Sequence, residues 1–458
     1  MQWIVDAYAL VLAALTLPAG LLGDRYGRKK FILIALALFG LASAACAYST
    51  SVNILISARV ALGVGGAFIL PLALSVLSVF FNDDERPKAM GLLMGGVFLA
   101  YPLGPILGGY LLTHYWWGSV FLINVPIALL ALIAVAILLP ESKSSERHAV
   151  DLGGMLLSIL GITGITYGAI QAGSKGWGSD QVVASLACGA ILLILFVRWE
   201  KFMVRHNRSP LVDLKLFSSA RFTWGTLLAT AVTFCMFGLL FGLPQYLEDV
   251  QGKNALGTGY RLLPMVGGLI IGSVIANRLL HKTGAKLAVA IGFGIMAVGL
   301  MLGTKTSVHA SDPFIVLWVG IVGVGLGFAI PSSMDAALGA LSPESSGVGS
   351  SLVTAIRQAG GTLGVAILGT VLGSSYRNNL NLSGLPDQIA AVARSSVTGG
   401  VAVAHKLDSA ELLHVVRTAF VHSMTVMLWV CAGIALVAVV LALLFLPNKT
   451  PVSVDEKS

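Results

Sequence analysis

The chain has 458 residues, of which 56% are apolar and 11% charged, with 53 glycines and a mean hydropathy of +0.88. A water-soluble domain carries about 25% charged residues, so a soluble enzyme of this length is excluded, and so is a disordered chain. The net charge of +8 is spread between apolar runs instead of forming one basic face, so no nucleic-acid partner is expected.

A helix needs about 20 largely apolar residues to cross the hydrocarbon core of a bilayer. Thirteen runs qualify: 3–22, 31–50, 53–80, 89–112, 119–139, 152–172, 181–199, 222–247, 258–280, 286–304, 313–340, 347–373 and 418–446. Membrane barrels show ten-residue alternation instead, so the class is an all-α polytopic membrane protein. The first run starts almost at Met1 with no basic flank and no cleavable signal, which suggests that an upstream helix is missing. It carries Asp6 and leads into Gly23-Asp24-Arg25-Tyr26-Gly27-Arg28-Lys29-Lys30, where a tight turn brings opposite charges together. Such a cluster either latches one conformation or simply anchors the topology.

The run 53–80 carries Arg59, which costs about 2.5–3.5 kcal/mol at a helix centre and so should face a polar cavity or an acid. Asp6 sits at a similar depth, so the two can form a buried pair or couple to protons. In 89–112, Gly104-Pro105 and Gly108-Gly109 clear one helix face and add a bend. In 222–247, Phe234, Phe237, Phe241 and Tyr246 recur at helical spacing, as a cation–π face or a packing stripe, and Glu248 and Asp249 close that span as helix-end charges. In 313–340, Gly320, Gly323, Gly325 and Gly327 serve helix packing, since no strand-turn-helix context supports nucleotide binding. Asp335 lies near the inner end of that span, within reach of Arg357 on the next, as a proton-exchanging pair or a permanent salt bridge. Residues 374–417 form an outer loop, and Cys46, Cys188, Cys235 and Cys431 count as small buried hydrophobes.

With 23–30 on the cytoplasmic side, 19 of the 29 Lys and Arg residues fall inside, eight outside, and Arg59 and Arg357 within spans. That is the positive-inside bias, and it places the tail 447–458 in the cytoplasm of a cell-membrane protein. Leu21-Leu22-Gly23-Asp24-Arg25-Tyr26-Gly27-Arg28-Lys29 has a faded echo in Leu279-Leu280-His281-Lys282-Thr283-Gly284-Ala285-Lys286, as in transporters built from parallel repeats. No nucleophile, phosphate loop or metal spacing is present, so neither a cofactor nor enzymatic activity is expected.

The loop Gly23–Lys30, Leu55–Gly63 with Gly65-Gly66, Gly104-Pro105-Ile106-Leu107-Gly108-Gly109, Phe121–Pro126 and Arg357–Gly361 together resemble the major facilitator superfamily, in its fourteen-span drug:proton antiporter branch. Two departures are the absent first helix and Trp117-Gly118-Ser119, where the branch usually has an arginine between aromatics. The resemblance implies two six-helix halves, 1–140 and 222–446, joined by 141–221 with two extra helices. It implies proton-coupled efflux of small hydrophobic or cationic compounds by alternating access, with protons and membrane lipid as the other partners. Asp6, Arg59, Asp335 and Arg357 would bind proton or substrate. Gly23, Asp24, Arg25, Gly27, Arg28 and Lys29 would form the cytoplasmic gate, and Gly104, Pro105, Gly108 and Gly109 the antiporter motif. Export of an endogenous metabolite or lipid, and a non-transporting membrane scaffold, are the rival functions.

Overall fold

The computed structural model describes residues 2–80, 93, 96, 100, 103–104, 106–142, 151–206, 210–212, 214–341, 346–382 and 386–447. At 2, 3, 5, 6, 24, 78, 79, 173–175, 281–283 and 346–348 it describes the backbone alone. Long apolar runs in a bilayer must satisfy every backbone group internally, and the described residues form helices without a strand. The order is α1 (Gln2–Tyr26), α2 (Arg28–Ala47), α3 (Val52–Phe80), helical residues 106–114, α4 (Ser119–Leu122) and α5 (Asn124–Leu138). Next come α6 (Leu152–Lys175), α7 (Asp180–Arg205), a 3-10 turn (Leu214–Ser218), α8 (Ala220–Gln245) with a π turn (Tyr246–Val250), and α9 (Ala255–Thr283). The chain closes with α10 (Ala285–Gly303), α11 (Asp312–Leu338), α12 (Ser346–Asn379), α13 (Asp387–Ser395), α14 (Val397–Lys406) and α15 (Ala410–Phe445). Among the described residues, eleven helical segments are long and apolar enough to cross a membrane, and α1 adds the apolar stretch Ala7–Gly23. Half of the expected span 89–112 lies outside the described residues.

The faded sequence echo is a structural repeat. Gly27 (φ 118°) alone joins α1 to α2, and Gly284 (φ 79°) alone joins α9 to α10, each in the left-handed region that favours glycine. Each turn closes the same way, with the Gly27 N–H donating to Gly23 O and the Gly284 N–H to Leu280 O, both at 3.0 Å. Packing repeats too: α3 lies on α1 and α2, and α2 on α5, while α11 lies on α9 and α10, and α10 on α15. The α8 helix packs on α11, α12 and α15 within the second set. Between the two sets, α1 meets α12, and the hairpin α6–α7 leans through α6 on both α1 and α12.

Small residues set the distances. A Cβ on Gly323 would overlap the Met265 carbonyl, and one on Gly327 the Leu269 carbonyl, so α9 and α11 touch backbone to backbone, as the packing reading of these glycines required. The largest core cluster runs through α8–α12 and α15, with Trp318, Tyr246, Phe293 and Leu243 fully buried.

The expected outer loop 374–417 is instead mostly helical. The α12 helix continues to Asn379, and α13 and α14 fold back over the same end of the second set. Their Ala390, Ala393, Val397 and Ala404 enter the core cluster, and Tyr376 donates to Ala393 O at 3.1 Å. Burial of this small-residue stripe is what composition alone failed to signal. Cys46, Cys235 and Cys431 are buried as expected, whereas Cys188 is exposed on α7.

Candidate functional site

The turn at Gly27 is held by a residue from far along the chain. The first N–H groups of any helix lack intrahelical acceptors. Here the Arg28 N–H donates to Ser142 O at 2.9 Å, and the Lys29 and Lys30 N–H groups donate to the two Glu141 carboxylate oxygens, each at 3.2 Å. Lys29 Nζ also donates to Ala136 O at 2.8 Å. The carboxylate thus sits at the positive end of the α2 dipole and ties the α1–α2 turn to the end of α5. A Cβ on Gly27 would lie 2.8 Å from Glu141 Oε1, so glycine is needed for space as well as for its φ. Arg28 is buried, the Arg25 guanidinium lies 5.3 Å over the Tyr26 ring, and Gly23 approaches Leu72 of α3. The Asp24 side chain lies outside the described residues.

Arg59 is brought to α1 by α3. Its Nε donates to the Ile4 carbonyl at 2.7 Å, and the guanidinium lies 4.7 Å over the Tyr8 ring and 5.6 Å over Phe121. Backbone oxygen and two ring faces therefore receive the intramembrane charge. The side chain of Asp6, its expected partner, lies outside the described residues.

In the second set, Arg357 of α12 donates from Nε to Thr233 Oγ1 at 3.3 Å, with its Nη1 3.3 Å from Met334 Sδ, so it joins α8, α11 and α12. Asp335, next to Met334, turns to the exposed face of α11, and its side chain carries no hydrogen bond or ion pair among the described residues. The expected Asp335–Arg357 pair is not made here, because Asp335 lies on the exposed face of α11 while the Arg357 guanidinium packs against Thr233 and the buried Met334. Of the expected aromatic face, Phe234 and Phe237 are half-buried and Phe241 is 40% exposed, and all three lie along the glycine side of α12 at Gly361, Gly364 and Gly369. Tyr246 is not on this face. Five residues past Phe241, it points about 140° away from that ring around the helix and into the core, where its hydroxyl donates to Ser307 O at 2.8 Å. Asp249 is not simply solvated either, since it accepts from Thr398 at 2.8 Å. Glu248 is exposed.

At the end opposite Gly27, the helix through 106–114 meets the start of α9. A Cβ on Gly109 would lie 2.9 Å from the Leu256 N and 3.0 Å from the Ala255 carbonyl carbon, so the two sets touch there backbone to backbone. Gly104 and Gly108 face open space, and Pro105 lies outside the described residues. The same end carries the fork between Arg261 and Asp312, with Nε to Oδ1 at 3.0 Å, joining α9 to α11.

Sequence reasoning missed Glu141, Tyr8, Thr233 and the Arg261–Asp312 pair. Glu141 left a signal, as an acid directly after a span on the side rich in Lys and Arg. Tyr8 left none, because two residues from Asp6 it points to another side of the helix. Thr233 left none, because a hydroxyl in a helix usually returns to its own backbone, as Thr233 also does to Ala229 O at 2.8 Å.

The model of the Major Facilitator Superfamily matches residues 1–365, and the chain belongs to that family. It is 33% identical to the multidrug efflux pump LfrA of Mycolicibacterium smegmatis over 99% of this chain and 88% of that protein. It is 30% identical to the tetracenomycin C resistance and export protein of Streptomyces glaucescens, over 97% of this chain and 84% of that one. With the methyl viologen resistance protein SmvA of Salmonella typhimurium it shares 31% identity, over 93% and 87% of the two chains. A bacterial homologue of the human lysosomal transporter Spinster, solved inward-facing and unoccupied, superposes with a TM-score of 0.63 at 15% identity, covering 98% of this chain and 91% of that one. The chain is therefore a multi-span membrane transporter with the major facilitator fold.

Proposed function

We propose that this transporter exports hydrophobic, cationic compounds across the cell membrane in exchange for protons, by alternating access between halves 1–140 and 222–446, with 141–221 linking them. The Gly27 end and the tail 447–458 face the cytoplasm in this reading, as the distribution of Lys and Arg supports. The relatives' names, which speak of multidrug efflux, tetracenomycin C export and methyl viologen resistance, support a drug as cargo.

One observation carries the reading to this chain's own residues. Asp335 presents a carboxylate with no partner among the described residues on an exposed helix face, while Arg357 on the next span is held by Thr233 and Met334. A carboxylate free of a fixed counter-ion can take a proton or a cation in turn, which is the exchange antiport requires. Phe234, Phe237 and Phe241 supply ring faces for a lipophilic cation on α8. Asp6 is the second proton- or cation-binding acid, Arg59 and Arg357 act as electrostatic partners, the Gly23–Lys29 turn with Glu141 as the cytoplasmic gate, and the Gly104–Gly109 motif, through Gly109, as the seal of the outer end.

The test is proton movement in inside-out vesicles with an acid-loaded lumen as lipophilic mono- and dications are added. Cation-triggered loss of lumenal acid that Asp335→Asn abolishes is the expected result. No proton movement with folded protein in the membrane overturns cationic antiport and favours a metabolite exporter or a scaffold.

A further inference from the structure

A second acidic site lies away from the proposed transport residues, at the base of the linking hairpin. Asp151 (4% exposed) precedes α6 and caps it, accepting from the Gly154 N–H at 2.9 Å. The Trp199 indole N–H, one residue before Glu200 on α7, lies 2.8 and 3.0 Å from the two Asp151 oxygens. Glu200 is fully buried, and its Oε2 accepts from the Val212 N–H at 3.3 Å. Its Oε1 is buried without a hydrogen-bond partner. Both acids border Gly154, where a Cβ would sit 2.7 Å from Glu200 Oε1 and against Asp151 Oδ2.

These contacts assign the proton. Asp151 accepts N–H groups on both of its oxygens, whereas Glu200 Oε1 has no partner and is the oxygen left to carry a proton. Two ionised carboxylates in one dry pocket repel strongly, and a buried oxygen without a partner costs about 1–3 kcal/mol. A proton on Glu200 Oε1 removes both penalties by making that oxygen a donor to Asp151. The elements packed on α7 are α6 and the 3-10 turn. Among the described residues on these elements and at this end of α7, the basic groups Arg198, Lys201, Arg205, His206 and Lys215 are all exposed, and Asp151 is the charge that faces Glu200.

We propose that Asp151 and Glu200 hold one proton between them, carried by Glu200 and donated to Asp151, and that this proton-binding site fixes the hairpin base to the segment at Leu211 and Val212. Because α6 leans on both α1 and α12, the site braces the hairpin that touches both halves. It is a proton site separate from Asp335 and independent of what the transporter carries.

The test is infrared spectroscopy of the full chain in lipid nanodiscs at neutral pH, in sodium-free and sodium-containing buffer. The wild type should show a protonated-carboxyl C=O band that shifts in heavy water and ignores sodium. Glu200→Gln should lose it while keeping the hydrogen bond to Asp151 through its amide. Asp151→Asn should lose it too, because its amide N–H lets Glu200 ionise. Thermal unfolding gives a second readout. Glu200 is protonated when folded and ionises near its ordinary value of about 4.3 when unfolded. Wild-type stability should therefore fall as pH rises above that value, and the Glu200→Gln protein should lack this fall. A band that persists in both variants, or that is absent from the wild type, overturns the proposal, as does a wild type and a Glu200→Gln protein with the same pH dependence.

Discussion

Gly27 shows how much one residue can carry in this fold. Its φ of 118° is strained for any L side chain, and Glu141 fills the space a Cβ would take. Gly27→Ala should cost about 1–3 kcal/mol, measured by thermal unfolding in detergent, and adding Glu141→Ala should recover the steric part alone. Arg59 makes the complementary point about charge. Its planar fork fits a carbonyl and two ring faces, a set that the point charge of lysine does not match. Arg59→Lys should lower the transport rate at least tenfold at unchanged expression, while Tyr8→Leu, which removes one ring, should cost about 0.5–2 kcal/mol of stability. The arginine itself was legible in the sequence, as a charge that no membrane helix carries without a partner. Its acceptor was not, because a main-chain carbonyl belongs to every residue and marks none.

At the scale of elements, two helix contacts separate packing from function. The face of Phe234, Phe237 and Phe241 borders the glycine side of α12, whereas Tyr246 serves the core through Ser307. Phe237→Ala should raise KM for a cationic substrate several-fold with little change in unfolding temperature. Tyr246→Phe should do the reverse, lowering stability by about 1 kcal/mol and leaving KM unchanged. The helical period holds for Phe234, Phe237 and Phe241 and fails for Tyr246, which at about 3.6 residues per turn lies about 140° around the helix from Phe241. The helices at 387–406 were hidden for another reason. Their buried residues are mainly alanine and glycine, too weakly apolar to stand out beside membrane spans, although Pro386 and the Ser396 cap marked where they begin. The spans themselves were readable because the bilayer demands length and apolarity together.

For the whole molecule, the repeat is the central fact, since α1–α3 and α9–α11 share both their packing and their single-glycine turns. The weak echo around Gly284 was enough to suggest two related halves, yet not to show how they meet, because contacts between glycine and main chain leave no hydrophobic pattern. Where they meet at the end opposite Gly27, Gly109 lies against Ala255 and Leu256. Alternating access requires this contact to open once in every cycle. Gly109→Leu should keep that end ajar, raising labelling of a cysteine placed at Ala255 and letting protons leak across vesicles without substrate.

The most direct measurement is a reversible cross-link at the same contact, with Gly109→Cys and Leu256→Cys introduced after Cys46, Cys188, Cys235 and Cys431 are replaced. Substrate-driven proton exchange is then followed in vesicles before oxidation, after it, and after reduction. The account predicts exchange that stops when the disulfide closes and returns when it is reduced. Exchange that continues at full rate through a closed disulfide would contradict alternating access at this contact.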